Sequence, residues 1–271
     1  MHRCLRDLSL NLGPVFSLKL GSCRAVVITS ASAAEEFLTH ENDVVFANRP
    51  ISTLFKIAGY NNTIVTVAPY GDHWRNLRRI CNAEIFSTVR LRESLGIRRD
   101  EVRSLLRTIH AATSKGGSNL LELRPLLYRF TLNVVMRMVA GKRYYGEENV
   151  DAKEVQELIR ETFELAGLTY GLVDENRANR GKNEFKNTMI THLLTLQESQ
   201  PDYYTDEIIK GLVLVMLSAA AETTTVTLEW AMANLLNHPD VLAKVKTELN
   251  NVVSKEGRLM EESDRYALHC C

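Results

Sequence analysis

The sequence feature that most constrains the fold is a single helical segment of unusual length near the middle of the chain. The pattern begins at Thr205, a residue type that caps helix N-termini, and continues to Asn237, where His238 and Pro239 interrupt it. At about 1.5 Å per residue this helix would be roughly 48 Å long, whereas the mean helix has about 11–12 residues. The sequence therefore predicts a mainly α-helical fold that contains this long element.

Shorter helices and one small β element account for the rest of the pattern. Residues Val15–Leu20 alternate at period two and precede Gly21, which predicts a β-hairpin near the N-terminus. A short helix follows, capped by Ser30 or by Ser32, and Ser32-x-x-Glu35 fits a capping box. Further helices are predicted at residues 72–86, 91–112, 125–140, 154–168, 188–197 and 239–253. Without an internal repeat or a low-complexity linker, residues 1–271 are interpreted as one domain.

Charge and cysteine content argue against several classes of protein. Lys+Arg and Asp+Glu both number 33, so the chain lacks the basic excess typical of proteins that bind nucleic acid. The five cysteines, an odd number without a C-x-x-C spacing, predict neither a disulfide framework nor a metal site, and they favour a reducing compartment. The longest uncharged run of the central helix, Gly211–Ala221, is shorter than the ~20 residues of a membrane span. With no signal-peptide pattern either, a membrane anchor is not expected within this chain.

A carboxylate and three hydroxyls follow that apolar run. Glu222 is costly to bury without a partner, and Thr223 can bond back to the carbonyl of Ala219 one turn earlier. Because Ala219, Ala220 and Ala221 are small, the segment is interpreted as a pocket wall that can hold a polar ligand and move protons. In the alternative interpretation the alanines allow close helix packing, the threonines have no special role, and Glu222 reaches solvent or an arginine. Composition alone favours that alternative.

A second candidate site lies on the helix predicted at residues 72–86. Trp74 and Arg78 are four residues apart and therefore share one helical face. A guanidinium offers a planar fork of donors and an indole offers one more, which suits a buried anionic group. The alternative is a solvated basic face, since Arg75 and Arg79 are adjacent.

Both segments resemble a known family. The run AAAETT, Ala219 to Thr224, resembles the (A/G)-G-x-(D/E)-T-(T/S) signature in the long distal helix of cytochrome P-450, the haem-thiolate monooxygenases. Here Ala220 stands where the signature usually has Gly. The run YGDHWRNLRRI, after FANRP, is similar to the haem-contacting helix of plant members. GPVFSLKLGS, LNVVMRMVAGKRYYG and QESQPDYYTDEIIKG extend the resemblance over most of the chain.

The resemblance implies roles for these residues. It makes Glu222 and Thr223 a proton relay to bound dioxygen, places Ala219 against haem, and makes Trp74 and Arg78 contacts of the haem propionates. It implies hydroxylation of a hydrophobic aromatic small molecule of the flavonoid or isoflavonoid class, with electrons from NADPH through a cytochrome reductase. The neighbouring arginines would then be exposed and could face this redox partner. The family's location is the cytosolic face of the endoplasmic reticulum membrane, whereas a chain without the anchor could be cytoplasmic.

Other parts of the family pattern are not found. The family's axial cysteine lies in F-x-x-G-x-R-x-C-x-G, and this chain offers only the R-x-C of Arg79–Cys81, within a predicted helix, and the pair Cys270-Cys271. The pairs Glu157/Arg160 and Glu262/Arg265 match the family's E-x-x-R by spacing alone. A helical segment that roofs the substrate cavity is shortened near Gly171–Glu175, where the chain is expected to pass from one helix to another. The expected fold is thus a partial cytochrome P-450 fold with the haem-ligand region absent, and the alternatives are a non-catalytic fragment of such an enzyme or an unrelated helical adaptor.

Overall fold

The computed structural model describes residues 1–51, 53, 56, 59–114, 121–145, 161–182, 187–253, 260–262 and 264. The described chain is mainly helical, as predicted, and its β structure is one small sheet of the strands β1 (Val15–Leu20) and β2 (Cys23–Ile28). The helices are α1 (His2–Leu12), α2 (Ala31–Leu38), α3 (His40–Phe46), α4 (Asp72–Ile80), α5 (Thr88–Glu93), α6 (Leu95–Ser114), α7 (Leu123–Ala140), α8 (Glu161–Ala178), α9 (Met189–Ser199), α10 (Asp206–Asn237) and α11 (Pro239–Val253). The chain forms two compact units, Met1–Ser87 and Thr88–Cys271.

The β-hairpin of the first unit confirms the period-two prediction. Strands β1 and β2 pair antiparallel, with Val15 opposite Ile28 and Leu20 opposite Cys23. Gly21 has a φ of +62° at the turn, a backbone conformation that glycine adopts without steric cost. Of the two predicted caps for the next helix, Ser30 is the one used, because its hydroxyl accepts the amide N–H of Ala33.

Three features of the first unit differ from the prediction, and one of them is helix α3, which forms where no helix was expected. Helix α1 forms although no helix was expected before the hairpin, and none of its residues is buried. The helix that starts at Asp72 was predicted as one element, but it changes at Cys81–Ile85 into a single π-helical turn. Such turns are rare and are often found at functional sites.

The second unit is built around the long helix α10. Its bounds confirm the prediction: the hydroxyl of Thr205 accepts the N–H of Ile208 at 3.4 Å, and Pro239 begins the next helix. Helix α10 packs along α7, α8 and α9. The core between these helices consists of fully buried apolar side chains, among them Leu132, Met136, Leu172, Val173, Ile190, Leu193, Ile209, Leu212 and Leu217.

Burial gives a reason for the apolar composition of α10. By length and composition, α10 is the one helix in the described part of the chain that would be able to cross a membrane. Half of its most apolar stretch is buried inside the protein, however, and Ile209–Leu217 is buried without interruption. The core helix of a folded domain has the same composition, so this pattern is weak evidence for a span.

The structure corrects two of the predicted helices. The helix expected at residues 91–112 is divided at Ser94, whose hydroxyl bonds back to the carbonyl of Leu91. The expected passage between two helices near Gly171–Glu175 is wrong, because α8 continues through it to Ala178. One internal glycine costs a helix only about 1 kcal/mol, and the neighbouring Leu172 and Val173 are fully buried.

Several predicted features lie outside the described residues. These are Glu157 and Arg160, Arg265, the pair Cys270-Cys271, and the first part of the helix predicted at residues 154–168.

Candidate functional site

The exposure of α10 changes abruptly after its ninth consecutive buried residue. Ser218 and Ala219 are exposed, although the uncharged composition of Gly211–Ala221 is typical of a buried helix. Past that point only Ala221 and Thr225 are buried within the helix. The expectation of a buried helix is therefore wrong beyond Leu217, where Thr131 of α7 contacts the side of α10 that carries Ala221 and Thr225. The uncovered side carries the predicted site residues Ala219, Glu222 and Thr223.

The threonine hydroxyls on this part of α10 bond to their own helix. The Thr223 hydroxyl donates to the carbonyl of Ala219 at 2.8 Å, which confirms the predicted back-bond, and Thr224 donates to Ala220 at 2.9 Å. A hydroxyl whose proton is engaged in this way still has lone pairs with which it can accept a hydrogen bond. Thr223 is exposed, so its oxygen is available to a donor that approaches from outside the helix.

Glu222 is held by an arginine of helix α7. The guanidinium of Arg124 donates to a Glu222 carboxylate oxygen at 2.9 Å and lies 3.6 Å from Glu229, about two turns further along α10. The Glu222 side chain is 51% exposed and that of Arg124 is 49% exposed. The carboxylate is thus paired and half in solvent, as one of the two interpretations proposed, and it does not carry the cost of a buried charge.

A buried hydroxyl pair fixes this part of α10 against α7. The hydroxyl oxygens of Thr131 and Thr225 are 2.8 Å apart, and Thr131 also lies 3.1 Å from the carbonyl oxygen of Ala221. Both threonines are almost completely buried. Because one face of the helix is fixed in this way, the opposite face with Ala219 and Thr223 is turned away from α7.

The second candidate site lies on α4, in the first unit. The indole N–H of Trp74, which was expected to bind an anion, donates to the carbonyl of Val65 at 3.1 Å. The Arg78 guanidinium lies 5.8 Å from the centroid of the Trp74 ring, as expected for a cation–π contact between residues four apart. Arg78 is exposed, and within the described residues its guanidinium has no hydrogen-bond or ion-pair partner.

The neighbouring arginines differ from Arg78 in this respect. Arg75 forms an ion pair with Asp72, and the hydrogen bond that its guanidinium donates to this carboxylate raises the pKa of Arg75. Arg79 donates to the side-chain oxygen of Asn76 at 2.7 and 3.1 Å. Both are exposed, as expected. Within the described chain, Arg78 is therefore the guanidinium of α4 that remains available to an external anion.

A loop with a strained backbone, residues 60–65, is hydrogen-bonded to the same helix. Tyr60, Asn61 and Asn62 have φ values of +47°, +57° and +62°, a conformation that costs non-glycine residues about 1–3 kcal/mol each. The His73 ring nitrogen lies 2.7 Å from the carbonyl of Thr63, close to the Trp74 bond to the same loop. The adjacent residues Asn61 and Asn62 are the sequence signal for this conformation, because asparagine tolerates a positive φ.

Cys81 begins the π-helical turn directly after α4. It is 4% exposed, and burial raises the pKa of its thiol, although the charge of Arg78 acts in the opposite direction. A raised pKa disfavours the thiolate, which is the form that binds metal ions and acts as a nucleophile. Cys81 is therefore a core residue of the first unit.

Comparison with known proteins identifies the class to which this chain belongs. The sequence profile of the family described as Cytochrome P450 matches residues 1–170 and 164–270. The chain belongs to the cytochrome P450 family, as the resemblance predicted. The zebrafish cytochrome P450 solved with abiraterone has the same fold, with a TM-score of 0.80 over 98% of this chain and 66% of that one, at 24% identity.

Its relatives include plant members of the family. The chain is 44% identical to cytochrome P450 81Q32 of Catharanthus roseus over 97% of its own length and 58% of the relative. It is 42% identical to isoflavone 2'-hydroxylase of Glycyrrhiza echinata, covering 97% of this chain and 59% of that protein. It is 40% identical to isoflavone 3'-hydroxylase of Medicago truncatula, covering 97% of this chain and 60% of that protein. The chain thus spans somewhat more than half the length of these relatives.

The comparison also bears on the segment that was predicted to be shortened. The two parts of the family match overlap at residues 164–170, inside α8. The alignment with the Catharanthus protein spans 298 residues, more than the 271 residues of this chain, so it includes positions that have no counterpart here. Helix α8 is continuous at the place where the two matched parts join.

Proposed function

We propose that this chain functions as a haem-dependent monooxygenase that hydroxylates a hydrophobic aromatic small molecule of the flavonoid or isoflavonoid class. Membership of the cytochrome P450 family supports the reaction type. The isoflavone hydroxylases among the relatives support the substrate class. The proposal includes dioxygen, electrons from NADPH through a cytochrome reductase, and a location on the cytosolic face of the endoplasmic reticulum membrane.

The observation that carries the proposal is the state of Arg78. Haem propionates are carboxylates, and a guanidinium binds a carboxylate through two parallel N–H donors. Arg78 is exposed, rests over the Trp74 ring and has no acceptor among the described residues. Since the Trp74 N–H is already used by Val65, Arg78 would donate to the propionate and Trp74 would hold Arg78 in position. The residues of α4 therefore fit the cofactor, with the anion contact assigned chiefly to Arg78.

The uncovered face of α10 fits the other part of the proposal. Ala219 and Thr223 present small side chains, against which a flat group can lie. The family signature usually has glycine at the position of Ala220, so this chain adds one methyl group near that surface. Haem, when bound, would supply the one-electron and dioxygen chemistry.

The part of Glu222 and Thr223 is to hold and move protons on this face. Glu222 is half exposed, so its carboxylate can exchange protons with water, and Arg124 orients it. The Thr223 oxygen can accept a hydrogen bond from an outside donor because its own proton is directed to Ala219. In the proposed relay, Glu222 takes up a proton from water and passes it towards the hydroxyl of Thr223. The Thr223 hydroxyl then directs the proton towards the uncovered face of α10.

A second candidate function is that of a family member without haem-thiolate chemistry. It is favoured by the environment of Cys81, the cysteine of the R-x-C sequence, since burial raises the pKa of its thiol. Such a chain would keep the family fold and perform no oxygen chemistry. The unrelated adaptor is no longer a candidate, because the family is established.

The absorption spectrum of the purified chain, reconstituted with haem, reduced and exposed to carbon monoxide, distinguishes these functions. The monooxygenase requires a Soret band characteristic of thiolate ligation and oxidation of an isoflavone when reductase and NADPH are added. Haem uptake without that band would support the second function instead. A properly folded chain that takes up no haem would contradict the assignment of Arg78 and Ala219 as cofactor contacts.

A further inference from the structure

A strongly basic cavity lies in the second unit, on residues that the proposed oxygen chemistry does not use. It is open to solvent, has a volume of about 570 Å³, and is formed by α6, the end of α7 and the turn that follows. In the described part of the chain its lining comprises one acidic side chain, five basic side chains and a glycine: Asp100, Arg103, Arg107, Arg137, Gly141, Lys142 and Arg143. The field inside such a cavity attracts anions.

Three of the five cations are held in place by carboxylates. Glu101 is 3% exposed and accepts from Arg137 at 2.7 Å and from Arg143 at 2.8 Å. Lys142 forms an ion pair with Glu175 of α8. These contacts give the cavity a rigid basic wall, because a buried carboxylate with two guanidinium partners has little freedom to rearrange.

The other two cations of the cavity, Arg103 and Arg107, are not held by a carboxylate among the described residues. Arg103 and Arg107 are four residues apart on α6, so they share one face of that helix. Both are exposed, and within the described residues neither forms an ion pair or a hydrogen bond. Two guanidinium groups four residues apart on a helix repel each other, and Asp100, the acid of this cavity, is paired with Arg137 at 3.3 Å. An anion placed between them would remove that cost and gain bidentate hydrogen bonds.

From this geometry we propose that the cavity binds a multiply phosphorylated group. Guanidinium forks match phosphate oxygens in geometry and charge. Among the described residues, the cavity lining contains no aromatic or large apolar side chain with which a base or ring could stack. Its volume lies within the usual range of ligand sites, about 300–1,000 Å³, and exceeds the need of a single phosphate. A compact chain or ring that carries two or more phosphates satisfies all three conditions.

Calorimetric titration with inorganic tripolyphosphate tests the proposal on the whole chain. We expect saturable binding that Arg103→Gln/Arg107→Gln weakens about tenfold or more, as the loss of charged hydrogen bonds requires. The variant Arg103→Lys/Arg107→Lys keeps the charge but not the fork and should be intermediate. Arg24→Gln/Arg92→Gln removes the same charge from exposed residues outside the cavity and is expected to leave binding unchanged.

The result that overturns the proposal is absent binding, or equal weakening in the two glutamine double variants. Circular dichroism and thermal unfolding confirm that each variant is folded. A second experiment identifies the source of the phosphates, with phosphatidylcholine vesicles that contain or lack a bisphosphorylated phosphoinositide. Vesicle binding that tripolyphosphate competes away supports a lipid headgroup, whereas tripolyphosphate binding without vesicle binding supports a soluble ligand.

Discussion

Two glutamates of this protein make ion pairs of nearly equal length in very different surroundings. Glu222 lies 2.9 Å from Arg124, and Glu101 lies 2.7 Å from Arg137 and 2.8 Å from Arg143. Glu222 is 51% exposed, whereas the Glu101 side chain is 3% exposed. Replacing each glutamate by glutamine removes the charge and keeps the shape, so the two variants compare burial at almost constant geometry.

The expected losses of stability differ severalfold. For Glu222→Gln we expect a loss of less than about 1 kcal/mol in the free energy of unfolding. Solvent screens an exposed ion pair, and holding both side chains in one geometry costs conformational entropy. For Glu101→Gln we expect about 2–4 kcal/mol, since the change removes the buried counter-charge nearest to Arg137 and Arg143, and Asp100 lies farther from Arg137, at 3.3 Å. The lower end applies if Arg137 and Arg143, which are 23% and 33% exposed, can turn towards water.

Urea unfolding followed by circular dichroism at neutral pH measures both values. The midpoint should decrease clearly in the Glu101 variant and barely in the Glu222 variant, with unchanged slopes. A loss above about 2 kcal/mol for Glu222→Gln would refute the reasoning, because an exposed pair cannot contribute so much. Equal losses in the two variants would likewise show that the assigned difference in burial is wrong.

Two further predictions concern ionisation. Hydrogen bonds from Gln197 and Arg177 lower the pKa of Asp206 below its ordinary value near 3.8, so its contribution to stability is present above that pH and is lost as the pH falls through the lower, folded-state pKa. Asp206→Asn should therefore cost up to about 1 kcal/mol at neutral pH and nothing in strong acid, and urea unfolding across the acid range checks this. Burial raises the pKa of Cys81, so in the native chain it should react with iodoacetamide much more slowly than the exposed Cys4. Peptide mapping by mass spectrometry checks the order, which equal rates would contradict.

The elements that sequence patterns predicted well are those that local interactions define. The hairpin needs only its alternation and Gly21, and α10 needs a cap at Thr205 and a break at Pro239. Each of these signals lies within a few residues of the feature that it determines. The same is true of the back-bond from Thr223 to Ala219, which spans one helical turn.

Features that depend on distant parts of the chain were not predictable in this way. Arg124 and Glu222 are 98 residues apart, and no local pattern pairs them. The exposure of Ala219 depends on which side of α10 is covered by α7, and small apolar residues occur on both sides. Likewise, the Trp74 N–H was assigned to an external anion because the path of the loop that brings Val65 to it could not be read from the sequence.

The central claim is that Arg78 is a contact of the haem propionates, and one measurement tests it directly. The purified chain is titrated with haemin, and the Soret absorbance of Arg78→Gln is compared with that of Arg79→Gln, an adjacent exposed arginine that donates to Asn76. Loss of a charged, bidentate donor should weaken uptake about tenfold or more in the first variant, and the second should bind like the unchanged chain. Equal affinities in all three proteins, with each folded, would contradict the claim.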